Sequence, residues 1–186
     1  MSGSPEYIDF LPHLSFVIGG ARSGKSRIGE ALVTATGRRR IYIATAEAWD
    51  DEMRARISEH RCDRGGGWQT VEAPRDLCGA LSQAPATACI LVDCATLWLT
   101  NHMLAEADLD AETDRLLAAL AACAAPVVMV SNEVGWSIVP DNALARRFRD
   151  AQGRLNQRLA AQAGLVLAVM AGLPLVLKGR MPRGLA

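Results

Sequence analysis

A net charge of either sign is missing from this chain, whose 20 Lys and Arg are balanced by 20 Asp and Glu. That balance removes the usual electrostatic footprint of a nucleic-acid or membrane-surface binder. Aromatic residues make up only 5%, too few for a base-stacking platform. No apolar run is long enough to cross a bilayer, and the longest, near residues 165–177, is interrupted by Pro174. Residues 1–13 are polar and mixed, without the pattern of a secretory signal. The five cysteines (Cys62, Cys78, Cys89, Cys94 and Cys123) are odd in number and never spaced C-x-x-C. Most sit among aliphatic residues. They read as free thiols in a cytoplasmic protein rather than as a disulfide framework or zinc site. Linkers, repeats and low-complexity stretches are also missing. The expectation is one domain over residues 13–186, with a tail at 1–12 lying outside the core.

What the chain does have is hydrophobic content of 50%, enough to bury a core, arranged in alternating strand-like and helix-like segments. Short apolar or β-branched runs at 14–18, 40–45, 68–72, 89–92, 126–131, 165–170 and 175–177 predict strands. Helical patterns fall at 25–36, 50–61, 74–83, 110–123 and 143–163. In the last of these, Leu144, Phe148, Leu155 and Leu159 share one predicted apolar face. Apolar strands separated by helices predict an α/β fold, a three-layer sandwich with a mostly parallel central sheet.

The most informative segment is Gly19, Gly20, Ala21, Arg22, Ser23, Gly24, Lys25 and Ser26, which fits G-x-x-x-x-G-K-[ST] at every fixed position. An apolar strand precedes it and a helix follows. Glycines let successive backbone N–H groups turn inward toward phosphate oxygens. The helix start adds its positive dipole end. Lys25 supplies a cation for the β- and γ-phosphates, and the Ser26 hydroxyl suits Mg²⁺. Arg22 either holds phosphate or is solvated. The sandwich is therefore expected to be P-loop NTPase-like, using ATP or GTP. Asp93 ends the apolar strand at 89–92, which is expected to lie next to the strand feeding the loop. There its carboxylate either helps hold Mg²⁺ or caps the helix that follows. Asn132, Glu133 and Gly135 follow the strand at 126–131, at the ligand-binding edge of such sheets. They read equally as site residues or as a hydrogen-bonded turn.

Three segments together are more specific than the loop: GGARSGKS at 19–26, YIATAEAWDDEMRARISEHR at 42–61, and SNEVGWSIVPDNALARRFRDAQGRLNQRLA at 131–160. With them the chain resembles, over most of its length, the bifunctional adenosylcobinamide kinase / adenosylcobinamide-phosphate guanylyltransferase family of cobalamin biosynthesis. The resemblance implies two reactions on one corrinoid. A nucleoside triphosphate phosphorylates the aminopropanol hydroxyl of adenosylcobinamide. GTP then donates GMP to that phosphate through a GMP–histidine intermediate, and pyrophosphate leaves. His60 matches the nucleophile. Its spacing alone, on a face with Met53 and Ile57, reads as a partly buried helix-end residue. The resemblance further implies nucleotide contacts at Ala44, Thr45 and Ala46, and at Arg61, Cys62, Asp63 and Arg64. It also implies acidic contacts at Glu72 and Asp93 and a homotrimeric assembly. Without the resemblance, Glu72 reads as a solvated strand end. Some relatives carry a second histidine where Glu59 stands, and Glu in place of Asp93. The competing readings are a small-molecule kinase with a structural His60, and a nucleotide-dependent switch ATPase or GTPase.

Overall fold

The computed structural model describes residues 10–47 and 65–183. The predicted helix at 50–61, with His60, and the stretch Arg61, Cys62, Asp63 and Arg64 lie outside the described residues. Among the described residues twelve elements follow one another: β1 (Leu14–Gly19), α1 (Lys25–Ala35), β2 (Arg39–Ala44), β3 (Trp68–Glu72), α2 (Leu77–Ser82) and β4 (Ala88–Asp93), then α3 (Ala95–Leu104), α4 (Leu109–Ala122), β5 (Val127–Asn132), α5 (Ala143–Gln162), β6 (Leu165–Met170) and β7 (Leu173–Lys178). The strands form one sheet in the order β3-β2-β4-β5-β1-β6-β7. All pairs are parallel except β6 with β7, which form an antiparallel hairpin.

Burial explains why the central strands read as unbroken apolar runs. Residues of β4 and β5 are buried on both faces, with only the terminal Asp93 and Asn132 partly exposed. One face packs a core that includes Phe16, Ile90, Met129, Trp98, Leu116 and Leu155. The other packs Val17, Leu32, Val33, Leu91, Val130 and Leu167. Helix α1 lies close on that second face at Gly29, where a Cβ would stand 2.9 Å from Leu91 Cδ1 and 3.1 Å from Val130 Cγ2. That closeness offsets the helix-propensity cost of a mid-helix glycine, about 1 kcal/mol.

Three expectations change. The strand ending at Asp93 does not adjoin β1, because β5 lies between them. Leu144 does not join the buried face of α5: it is 55% exposed, while Leu155 and Leu159 are buried and Phe148 packs at the core's margin. Residues 143 and 144 are both exposed, and the buried residues of the helix begin at Ala151. Leu11, within the expected tail, packs against the second core cluster. The helix expected at 74–83 starts only at Leu77, because the Asp76 side chain caps it by accepting from Gly79 N–H at 2.9 Å.

Buried amides tie the layers together. Asn101, 4% exposed, donates from Nδ2 to Thr45 O at 2.8 Å and to Pro74 O at 2.9 Å. It thus joins α3 to the ends of β2 and β3. Asn101→Asp removes both donors and sets a carboxylate against two carbonyls. Urea unfolding should show a loss of about 2–4 kcal/mol, drawn from the cost of unpaired buried polar groups.

Candidate active site

The phosphate loop is shaped by close approach. Gly24, the N-cap of α1, has φ 92°, and Arg22 has φ 56°, so two residues out of three are left-handed. A Cβ on Gly19 would lie 2.5 Å from Ser23 Oγ and 2.6 Å from the Val169 carbonyl of β6. The β6–β7 turn buttresses the loop from that side: Gly172 N–H donates to Ser23 O at 2.9 Å, and Arg27 reaches Gly172 O at 3.3 Å. Lys25 is only 9% exposed, and its Nζ donates to Gly20 O at 3.1 Å, which holds the ammonium over the loop. Ser26 is partly buried, while Gly20, Ala21 and Arg22 are exposed. Ser23 Oγ is buried without a hydrogen-bond partner among the described residues.

Helix capping separates this region from the rest. Side chains cap α2 (Asp76), α4 (Asp108) and α5 (Asn142). Among the described residues, none caps α1 or α3, and neither has an acidic residue in its first turn. These two helices start at the phosphate loop and just after Asp93. A missing cap costs about 1 kcal/mol, and here it leaves N–H donors and the dipole's positive end for an anion.

The sheet's register places the other candidates. Glu72, Ala44 and Asp93 stand in one row at the carboxyl ends of β3, β2 and β4. Asp93 pairs with Val130, which pairs with Val17, two residues short of Gly19. With strands about 4.8 Å apart, Asp93 lies roughly 10 Å from β1 and Glu72 roughly 19 Å from it. Asp93 is partly buried, Ala44 and Ala46 are partly buried, and Glu72 is exposed. Thr45 has no exposed surface. Its hydroxyl donates to Cys94 O and accepts from Cys94 N–H, both at 2.7 Å. Its side chain is thus a latch on the segment after Asp93.

Glu133 and Gly135 form a turn, with Gly135 N–H donating to Glu133 Oε1 at 2.6 Å. The turn is docked on the loop, because Glu133 N–H donates to Gly19 O at 3.1 Å. Behind it runs a buried network that sequence reasoning missed. Gln152 Nε2 donates to Ser131 Oγ at 3.0 Å and to Asn156 Oδ1 at 2.8 Å. Asn156 Nδ2 donates to Asn132 O at 3.1 Å, and Asn132 N–H donates to Thr96 Oγ1 at 2.8 Å. The available signal was two amides four residues apart on the same face as Leu155 and Leu159.

The remaining polar candidates are structural. His102 is buried against Trp98, with ring centroids 4.6 Å apart, and His13 Nε2 lies 3.0 Å from Leu120 O. Cys78, Cys89, Cys94 and Cys123 are free thiols. Burial pushes the Cys94 thiol up to about 11, with neighbouring Asp93 adding to the effect; burial does the same at Cys89, also to about 11. Neither is an accessible thiolate near neutral pH.

A glycine-shaped anion cradle, a buttressed lysine and an open helix start at the carboxyl edge of a parallel sheet define a P-loop nucleotide-binding enzyme. The sequence profile described as "Cobinamide kinase / cobinamide phosphate guanyltransferase" matches residues 15–177, and the chain belongs to that family. The "Bifunctional adenosylcobalamin biosynthesis protein CobP" of Pseudomonas aeruginosa is 46% identical over 166 residues, covering 88% of this chain and 96% of that protein. The "Bifunctional adenosylcobalamin biosynthesis protein CobU" of Salmonella typhimurium is 44% identical, covering 87% of this chain and 98% of that protein. The Escherichia coli protein of the same name is 41% identical over the same shares. Among solved structures, the RadB recombinase aligns at TM-score 0.47 and 18% identity, covering 86% of this chain and 75% of that one.

Gly19→Ala tests the cradle directly. The added methyl meets a backbone carbonyl, so the loop must shift while the sheet stays. Fluorescent-nucleotide titration should show affinity reduced at least tenfold, with circular dichroism unchanged.

Proposed function

We propose that this chain carries out both reactions of its family at one phosphate loop, with His60 as the guanylyl acceptor. The observation that carries the reading is the loop's uncapped, glycine-shaped anion cradle with Lys25 held over it, joined to the family match over residues 15–177. The catalytic unit is residues 13–186.

In the kinase step, the aminopropanol hydroxyl of adenosylcobinamide attacks the γ-phosphorus of ATP or GTP. The new O–P bond forms as the bond to the nucleoside diphosphate breaks, and the hydroxyl proton leaves to solvent. The loop amides of Gly19, Gly20, Ala21, Arg22, Ser23 and Gly24, with Lys25, offset the charge on the transferring group. In the second step, an imidazole nitrogen of His60 attacks the α-phosphorus of GTP. The N–P bond forms, the bond to the β-phosphate oxygen breaks, and pyrophosphate leaves. A phosphate oxygen of adenosylcobinamide phosphate then attacks the same phosphorus. This regenerates the imidazole and yields adenosylcobinamide-GDP. A neutral imidazole suits this role near pH 7, and the covalent step divides one hard transfer into two.

Mg²⁺ is proposed with the nucleotide. The described residues offer no cluster of three or more His, Cys, Asp or Glu that could hold an ion. Two hard oxygen donors, Ser26 and Asp93, fit an ion completed by phosphate oxygens and water. The roughly 10 Å between β4 and β1 suits a carboxylate acting through bound water. When bound, the ion would neutralise phosphate charge. Glu72 and Asp93, in one row with Ala44, are proposed to accept from guanine or ribose donors. Ala46 and the stretch Arg61, Cys62, Asp63 and Arg64 are proposed as further nucleotide contacts.

A homotrimer in the cytoplasm is part of the proposal. Leu173, Leu175 and Leu177 stand on one face of the edge strand β7 and are 72%, 59% and 60% exposed, which supports an assembly that covers them. Leu175→Glu should lower the mass measured by light scattering from three chains to one. A mass unchanged from wild type would place the interface elsewhere.

The functional test is covalent labelling. The protein is mixed with Mg²⁺ and GTP labelled at the α-phosphate, then denatured. Acid-labile, base-stable label is expected on the wild type and absent from His60→Ala. An unlabelled wild type that still phosphorylates adenosylcobinamide would leave a kinase alone.

A further inference from the structure

The segment between β5 and α5 is built unlike the other described connections. Within four residues it exposes three large apolar side chains: Trp136 at 80%, Ile138 at 93% and Val139 at 64%. Its polar groups meanwhile are turned back on its own backbone. The Glu133 carboxylate accepts from Gly135 N–H, and the Ser137 hydroxyl donates to Val134 O at 3.3 Å. Arg146 of α5 donates to Pro140 O at 2.9 Å and to Asp141 O at 2.8 Å, and Asn142 caps the helix at Ala145 N–H. The loop is thus braced at both ends while its apolar groups face outward. Ordinary surface loops do the reverse, exposing polar groups.

The loop also starts at the phosphate cradle. Glu133 N–H is bonded to Gly19 O, so Trp136 follows three residues after an anchor on the first loop glycine. The network of Gln152, Asn156, Ser131 and Thr96 fixes that anchor from behind. A surface fixed in this way can be aligned with a reacting phosphate.

Resting on the function proposed above, we infer that Trp136, Ile138 and Val139 form the platform on which the corrinoid macrocycle lies. The reacting hydroxyl sits on a flexible arm of a wide, methyl-bearing ring. The arm must enter the phosphate loop while the ring stays outside it. An apolar ledge tied to Gly19 meets both needs, and the ring buries the indole and aliphatic groups that water otherwise covers. A second copy of the chain is the other occupant such a surface would fit, and the test separates the two.

The experiment compares full-length wild type with Trp136→Ser, Ile138→Ser and Trp136→Phe. Three readouts are taken: KM for adenosylcobinamide, self-labelling by α-labelled GTP without corrinoid, and mass by light scattering. In the two Ser variants, KM for the corrinoid should rise at least tenfold, about 1.4 kcal/mol. Self-labelling, KM for GTP and mass should match wild type, and Trp136→Phe should stay within about threefold of wild-type KM by the same scale. An unchanged corrinoid KM overturns the platform while leaving the proposed function intact. A fall in mass overturns it in favour of a second copy. A wild type that neither labels nor phosphorylates removes the function on which the inference rests.

Discussion

The N–H groups at the start of α1 must stay open to an anion, and much of the structure answers to that constraint. A side-chain cap would stabilise the helix by about 1 kcal/mol and would occupy the donors. Gly24 makes the reversal instead, at φ 92°. Gly19 allows the loop to lie against the β6 carbonyl, and the turn at Gly172 holds Ser23 from the same side. Stability forgone at the loop is supplied elsewhere, by capped helices and by strands buried on both faces.

Around the cradle, the fold sorts polar groups by task. Thr45, Asn101, Gln152 and Asn156 are buried, and their donors hold strand ends and loops in place. Lys25, Asp93, Glu72 and Ser26 stand at the carboxyl edge, where phosphate, metal and base contacts are made in open α/β sheets. Cys89 and Cys94 are kept out of the chemistry, since burial holds both protonated near neutral pH. The apolar loop at 136–139 and the exposed leucines of β7 lie on opposite sides of this arrangement in sequence order, one before α5 and one after it.

Much of the candidate site was legible because its chemistry is local. Eight consecutive residues specify the cradle, and the strand before it and helix after it are plain from periodicity. Asp93 was legible as the first charge after a buried run. Thr45 was legible as a residue of interest but its hold on Cys94 was not, because a hydroxyl at the end of β2, three strands from β1, gives no local sign of whether it faces solvent or a neighbouring peptide. Gln152 and Asn156 looked like ordinary polar residues on a long helix. Only their place beside Leu155 and Leu159 marks them as buried.

By itself the sequence determined the α/β alternation, the phosphate loop, the free thiols and the family to which the chain belongs. Those follow from short-range pattern: two- and 3.6-residue periods, glycine spacing and a charge at a strand's end. Tertiary structure alone decided that β5 separates Asp93 from the loop strand and that Glu72, Ala44 and Asp93 share a row. It also decided that the first turn of α5 leaves its leucine in water. Strand order and register arise from contacts between segments far apart in the chain, and no local pattern encodes which strand becomes whose neighbour.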